Sequence, residues 1–378
     1  VVGTLFFGWL PLYLPELFPT RVRATGVGIA FNTGRFASAA GVLGAGASGN
    51  PAGLVMPRLD RGGGPLSEVF LAAYLAAIAT YGRLGAFMPC GVQQRADAEG
   101  ALADLLNDPP LPGDWFTRHL DGALHPRAGL VDPQAAIKAM LRGAQLQFEA
   151  PVTALEPADE SWILRGPDGR ALFKADAVIL ACGPALRQFA PASFLPIMLS
   201  RGQIEWGEGA APAHAITDGA YVAPFDTGVL FGATFDRVDD PVAPVASAES
   251  RERNLEALRL LAPDVFASVN AATLRSRASL RATTPDRAPI AGLLPDAEAW
   301  LAHYADLAHG RAVTTAEPPP AHRGVYVIGG LGARGLTLAP LLGERIASEM
   351  CGEPAPLSKA ALDAIHPARF LYRALKRR

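Results

Sequence analysis

A chain of 378 residues is long enough for one large domain or two ordinary ones, each with its own core. Half of the residues are hydrophobic and 19% are charged, which excludes a disordered or fibrous protein. A formal net charge of -2 excludes a global basic field for nucleic acid, so any RNA contact has to come from a local patch.

The first 47 residues differ in character from the rest. "VVGTLFFGWLPLYL" is apolar and aromatic, "PELFPTRVRATG" interrupts it, and "VGIAFNTGRFASAAGVLGAGA" is apolar again. Two apolar runs around a short loop with Arg21 and Arg23 read as a helical membrane hairpin. Composition alone favours a pair of buried helices in a soluble protein instead. The first run is shorter than the ~20 residues a bilayer needs, and Arg35 within the second would be costly in lipid. The start at Val1 rather than Met leads us to expect a fragment.

Gly44 to Gly49, "GAGASG", spells a dinucleotide-binding fingerprint. A genuine one follows an apolar strand, opens a helix and has an acid about 20 residues on. Here the flanks "RFASAAGVL" and "NPAGLVMPRLDRGGG" are a poor strand and a helix breaker, and Asp60 comes too early, so the spelling reads as chance. "GVGIAF" at 26 to 31 is weaker, with Phe31 at the third glycine position.

Further along, "PLSEVFLAAYLAAIATYGRL" has helical spacing, and "ADAEGALADLLNDPPLPGDW" reads as a second helix stopped by Asn107 and Pro109-Pro110. "AVIL" (177–180) and "GVYVIGG" (324–330) are apolar on both faces and read as buried parallel strands. "AYVAPFDTGVLFGATFD" alternates around a turn, as an antiparallel hairpin does. "APVTALE" (150–156) reads as another strand. Cys90, Cys182 and Cys351 are far apart, which excludes a disulfide framework and a CxxC zinc site.

Two stretches carry chemistry. In "RGVYVIGGLGARGLTLAPLLGERIASEM" a buried strand runs into Gly329, Gly330, Gly332 and Gly335, and a helix is expected from about Thr337. Glycines let a ligand approach the backbone, and the helix N-terminus favours an anion or polarised carbonyl against residues 330 to 337. In "SLRATTPDRAPIAGLLPD", Arg281 ends a strand, a position suited to bidentate carboxylate binding; pairing with Asp286 is the structural alternative. "ADAVILACGPALRQF" is a further strand that ends in a glycine turn, at Gly183.

Two resemblances organise these readings. "PLYLPELFPTRVRATGVGIAFNTGRFASAAG" is similar to the late transmembrane region of major facilitator superfamily transporters. "GASGNPAGLVMPRLDRGGGPLSEVFLAAYLAAIATY", "RGQIEW", "RATTPDRAPIAGLLPD" and "GLGARGLTLAPLLGERIASEMCGEPAPLS…HPARFL", in that order, resemble the oxidoreductase half of the bifunctional tRNA 5-methylaminomethyl-2-thiouridine biosynthesis proteins. That half is a flavoprotein of the glycine oxidase/D-amino-acid oxidase group.

This second resemblance implies FAD and a tRNA substrate. The carboxymethyl group on a wobble uridine would be oxidised to an imine and hydrolysed away as glyoxylate, in the cytoplasm. The methyltransferase half of such proteins would be absent from this chain. Arg281 would grip the carboxymethyl group, with no protein general base. Gly330, Gly332, Ala333, Arg334, Gly335, Leu336 and Thr337 would hold the pyrimidine edge of the flavin. Ser48, Gly49, Asn50, Gly53 and Leu54 would line the loop beside it. Val152 would meet the adenine, and Ala181 and Gly183 the ADP portion. The basic tail "HPARFLYRALKRR" could touch tRNA phosphate.

The implied fold is α/β (α+β mixed): an FAD-binding nucleotide fold of the amino-acid oxidase type lacking its first βαβ unit, plus an antiparallel-sheet substrate domain. A transporter-like segment, 1–43, would precede an oxidoreductase region, 44–378. FAD-binding parts are expected at about 44–85, 130–190 and 320–352, and the substrate domain at about 86–129 and 191–319. The missing unit would carry the true fingerprint, so a chimera with weak or absent FAD binding is expected. A glycine or small-amine oxidase and a non-functional chimera or transporter fragment are the alternatives. Stable membrane association is expected only if residues 1–43 insert.

Overall fold

The two runs that are apolar on both faces lie side by side. In the computed structural model, Ala177–Leu180 and Ala321–Gly329 are parallel, with Val178 opposite Val325 and Leu180 opposite Val327. All four of these side chains are buried, as a strand covered on both faces requires. The structure describes residues 29–30, 49–59, 63–95, 101–109, 111–120, 122–142, 144–239, 244–311 and 317–377. Of the expected N-terminal hairpin, only Ile29–Ala30 falls within them. These two residues are extended rather than helical, and they pair in parallel with Ala177–Val178. On the other side, Ile290–Pro295 runs antiparallel to Ala321–Gly329 and completes a four-stranded sheet.

Helices cover this sheet. Pro65–Arg83 starts with Pro at its first turn and Gly64 at φ 103 before it. Its Val69, Phe70 and Ala73 pack with Ile179 and Ile328 of the sheet and with Leu338, Leu341, Leu342 and Ile346 of the helix Gly335–Cys351. By length and composition Pro65–Arg83 is long and apolar enough to cross a membrane, and here it is a core helix between other elements. Gly335–Cys351 ends in a left-handed Gly352, whose N–H bonds back to Glu349 O.

The second large element is a nine-stranded sheet. Its spine is the eleven-residue strand Met198–Glu208, which pairs antiparallel with Arg275–Thr283 from Met198 to Trp206 and with Gly228–Gly232 and Asp236–Val238 on the other side. The expected hairpin is present as Ala220–Phe225 and Gly228–Gly232. The sheet continues through Ala215–Asp218, Val92–Arg95, Gly122–His125 and Thr117–His119. Behind it, Ala248–Leu261, capped by the Ser247 hydroxyl on Ser250 N, places Leu258 and Leu261 against Val222, Val229 and Phe231. Two three-stranded sheets complete the set. One joins Gly53–Val55, Gly129–Val131 and Phe87–Met88, the other Ala154–Ala158, Ser161–Arg165 and Ala171–Ala175.

Three sequence expectations are corrected in detail. The closing helix begins at Gly335, two residues before Thr337, after a single 3₁₀ turn at Gly332–Arg334. The strand expected from residue 150 begins at Ala154, so Val152 lies just ahead of it, buried beside Val178 and Leu180. The helix expected in 96–115 is present as Ala101–Asn107. Cys90, Cys182 and Cys351 are unpaired.

Candidate active site

Both central parallel strands end in glycine turns on the same side. After Leu180 the chain turns at Gly183, φ 53, and after Gly329 at Gly330, φ 65, and Gly332, φ 56. L side chains rarely adopt these φ values, and glycine does so without strain. A Cβ at Gly183 would meet nothing within 4 Å, and one at Gly335 would touch only Leu331. The backbone therefore borders open space at the carboxyl ends of parallel strands, where α/β sheets bind their ligands. The N-terminus of a 17-residue helix faces the same region, with the free N–H groups and positive dipole end that suit negative charge.

The loop that carries the other expected cofactor contacts closes on this turn. Ser48 lies outside the described residues. Gly49 is buried, and Asn50 accepts from Arg277 Nε at 3.2 Å. Gly53 packs directly under Leu336, and a Cβ there, 2.1 Å from Leu336 Cδ1, would push that side chain aside. Leu54 follows in the same short strand. Tyr81 reaches over from its helix and donates its hydroxyl to Leu336 O at 2.7 Å. Ala333 and Arg334 are exposed on the 3₁₀ turn, and Thr337 is buried.

The arginine arrives from the antiparallel sheet. On Arg275–Thr283, side chains alternate between faces, so Arg277, Ser279, Arg281 and Thr283 share one. The other face carries Ser276, which donates to Glu205, and the buried Ala282. The strand reaches the glycine turn directly, through a bridge between Thr283 and Leu331. Arg281 lies across the neighbouring strand at Gly202, where a Cβ would meet its guanidinium at 2.2 to 2.4 Å. It donates to Thr234 O at 3.1 Å, and among the described residues it has no carboxylate partner. Burial pushes its pKa down from the ordinary guanidinium value, and the neighbouring Tyr221 partly offsets this. A desolvated cation without a counter-ion is a receptor for an anion. Tyr221, pushed up to about 12 by burial and partly drawn back by Arg281, stays a neutral phenol at physiological pH.

The alternative in which Arg281 pairs with Asp286 is overturned. Asp286 accepts from Arg369 Nε at 2.9 Å and Nη2 at 3.2 Å, and also from Arg373. Its Oδ1 further accepts from Thr284 Oγ1 at 2.7 Å and from Ala288 N. Burial alone would raise this carboxyl, but those hydrogen bonds and charges outweigh it and hold it well below the usual carboxylate range. Arg369, within the basic tail that could touch tRNA phosphate, is 8% exposed and ties the C-terminal helix Arg369–Leu375 to the turn after Arg281.

The described cradle fits FAD at its ring end. It offers two glycine-turned strand ends, a helix N-terminus, open space beside the backbone and a partly buried cation next to it. Sequence reasoning missed three of the residues that build it. Gly202 lies in the quoted "RGQIEW", but its role depends on cross-strand register. Tyr81 and Thr234 act only through partners 255 and 47 residues away.

Comparison with known proteins agrees with this geometry. The family profile described as FAD dependent oxidoreductase matches residues 38–349. The chain is 36% identical over 342 residues to the tRNA 5-methylaminomethyl-2-thiouridine biosynthesis bifunctional protein MnmC of Caulobacter sp. (strain K31), covering 86% of this chain and 52% of that protein. It is 30% identical to the protein of the same name from Magnetococcus marinus, covering 88% and 55%. It thus spans about half the length of these curated relatives. In fold it is similar to the crystal structure of glycine oxidase from Geobacillus kaustophilus, with TM-score 0.67 and 18% identity over 96% of this chain and 94% of that one. Iminodiacetate oxidase from Chelativorans sp. BNC1 is equally close, with TM-score 0.67 and 21% identity over 97% and 98%. With the profile covering most of its length and the strand ends, helix N-terminus and arginine arranged as described, the chain belongs to the FAD dependent oxidoreductase family.

Proposed function

We propose that the chain removes the carboxymethyl group, as glyoxylate, from 5-carboxymethylaminomethyl-(2-thio)uridine at the wobble position of tRNA. The observation that carries this reading is Arg281, a desolvated cation with no carboxylate partner among the described residues, joined to the glycine turn through Thr283 and Leu331. The name of the curated relatives supplies the substrate class.

Bound FAD supplies a two-electron acceptor at the site. Gly330 to Thr337 would hold its ring through backbone N–H groups and the helix dipole, which favour negative charge there. Gly49, Asn50, Gly53 and Leu54, with Ser48, would border the ring. Val152 would meet the adenine, and Ala181 and Gly183 the rest of the ADP portion. Arg281 would take the substrate carboxylate in a fork and so fix the methylene between carboxylate and amine against the ring. The neutral secondary amine loses a hydride from that methylene and a proton from nitrogen, giving an imine. Water adds to the imine carbon, glyoxylate leaves, and the aminomethyl group stays on the uridine. No side chain is assigned as a base: Tyr221 is protonated, and positioning does the work.

The FAD-binding parts would be about 44–85, 130–190 and 320–352, together with the strand Ile290–Pro295 that pairs into the same sheet. The nine-stranded sheet would present the substrate. The test is glyoxylate release from tRNA bearing the carboxymethylaminomethyl group by the purified chain incubated with FAD. Glyoxylate in proportion to lost side chain supports the assignment. Oxidation of glycine with none of the tRNA would replace it with a small-amine oxidase.

A further inference from the structure

Phe235 is 63% exposed, yet its support is rigid. Thr234 beside it is buried, accepts from Gln203 N at 3.0 Å through Oγ1, and donates its N–H to Gln203 O at 3.2 Å. The Thr234 carbonyl takes the hydrogen bond from Arg281, whose guanidinium carbon stands 5.7 Å from the Phe235 ring centroid. A lone exposed apolar side chain is ordinary. A ring carried next to this held backbone, 5.7 Å from the anion receptor, gives the receptor an aromatic wall.

We infer that Phe235 is a stacking platform for the pyrimidine ring of a nucleotide substrate and sets the preference for a nucleotide over a free amino acid; this rests on the tRNA reading above. In such a substrate four single bonds separate the carboxylate carbon from the ring, a reach of about 5 Å at ordinary bond lengths. A carboxylate seated on Arg281 therefore brings the base within stacking reach of Phe235. Aromatic side chains stack on any base face, and a flipped-out or loop base offers its face freely. A small amine such as N-methylglycine carries the same carboxylate and amine but no ring, and would leave Phe235 without a role.

The experiment is calorimetric titration of the full chain, incubated with FAD, using the nucleoside 5-carboxymethylaminomethyluridine and N-methylglycine in parallel. The wild type should bind the nucleoside more tightly. Phe235→Ala should weaken nucleoside binding roughly 5- to 150-fold, the range that loss of one base–aromatic stack gives, and leave N-methylglycine binding unchanged. Phe235→Trp should keep the preference. A preference that survives in Phe235→Ala overturns the platform and leaves the proposed reaction standing. Equal affinity of the wild type for the two ligands also overturns it, and glyoxylate release from tRNA then judges the reaction separately. A parallel loss for both ligands would show Phe235 to be structural and would overturn the inference as well.

Discussion

Tyr81 donates its hydroxyl to Leu336 O at 2.7 Å and so replaces a hydrogen bond that the helix cannot make for itself. Within Gly335–Cys351 the carbonyl of Leu336 would ordinarily accept from the residue four positions on. That residue is Pro340, which has no N–H. The tyrosine is 2% exposed, and burial raises its pKa far above the ordinary phenol value, so it remains a donor. A helix from the N-terminal part of the described chain thus secures the first turn of the helix that borders the cofactor.

Tyr81→Phe should leave this partly buried carbonyl without its donor, at a cost of about 1 kcal/mol, with weaker FAD retention. Pro340→Ala in the same chain restores a backbone donor and should recover most of the loss. Denaturant unfolding of the single and double variants measures the coupling. Strict additivity would show that the two residues do not share the Leu336 carbonyl.

Gly202→Ala should damage substrate binding more than folding. The added methyl meets the end of a side chain, the Arg281 guanidinium at 2.2 to 2.4 Å, which can swing aside. The carboxylate fork is then misplaced. We expect kcat/KM for the amine substrate to fall about tenfold or more, with the flavin spectrum and melting temperature little changed.

Arg281→Met should remove the receptor itself. Loss of one partner of a desolvated charge pair costs about 2–5 kcal/mol, so substrate affinity should drop by roughly 30- to 5,000-fold. FAD uptake, measured by absorbance, should persist. Loss of FAD uptake together with substrate binding would mean that Arg281 is structural.

The Asp286 and Arg369 pair should be insensitive to mild acid. The folded carboxyl is held below its unfolded value, so its stabilisation is fully present above about pH 4 and is lost only as pH falls through the lowered folded value. The stability difference between wild type and Asp286→Asn should therefore stay constant from pH 7 to 5 and shrink below 4. Arg369→Met removes two hydrogen bonds to the carboxylate but leaves those from Arg373, Thr284 and Ala288, and should cost about 1–3 kcal/mol at pH 7.

His125 and His366 should give the opposite behaviour. Burial pushes each down to about 4, with Arg345 and Arg369 adding to the shift at His366. Their unfolded forms titrate near 6.5, so the unfolded chain binds more protons between 6.5 and 4. Stability should fall in that window by up to about 1.4 kcal/mol per pH unit for each histidine. His125 is fully buried, donates its Nε2–H to Gln94 Oε1 at 3.1 Å, and stacks on Phe116. His125→Gln should flatten the slope by about half.

Much of this was legible in the residues. Ala177–Leu180 was readable because four consecutive apolar residues allow no solvent face, and the turn after Gly329 because its glycines crowd into seven positions. Arg281 was readable as the end of a strand, but its partner was not. Asp286 is taken by Arg369, 83 residues further on, in a stretch whose local pattern is only basic and amphipathic. Gly202 gives no local signal, since what demands glycine is a side chain two positions diagonal to it on the next strand. Tyr81 reads as a core aromatic, and only the packing of two helices turns it into a hydrogen-bond donor for a proline-interrupted turn. Phe235 carries no pattern at all. Its place depends on the buried Thr234 beside it.

The most direct measurement is the visible absorbance of the purified chain, before and after incubation with FAD and removal of the excess. The ring-end cradle predicts flavin bands despite the weak or absent binding expected from the missing βαβ unit, and their loss or reduction in Gly330→Ala, where φ 65 and a Cβ 2.7 Å from Thr284 Cγ2 would force the turn apart. A colourless protein that takes up no FAD would contradict it, leaving the family as ancestry without the activity.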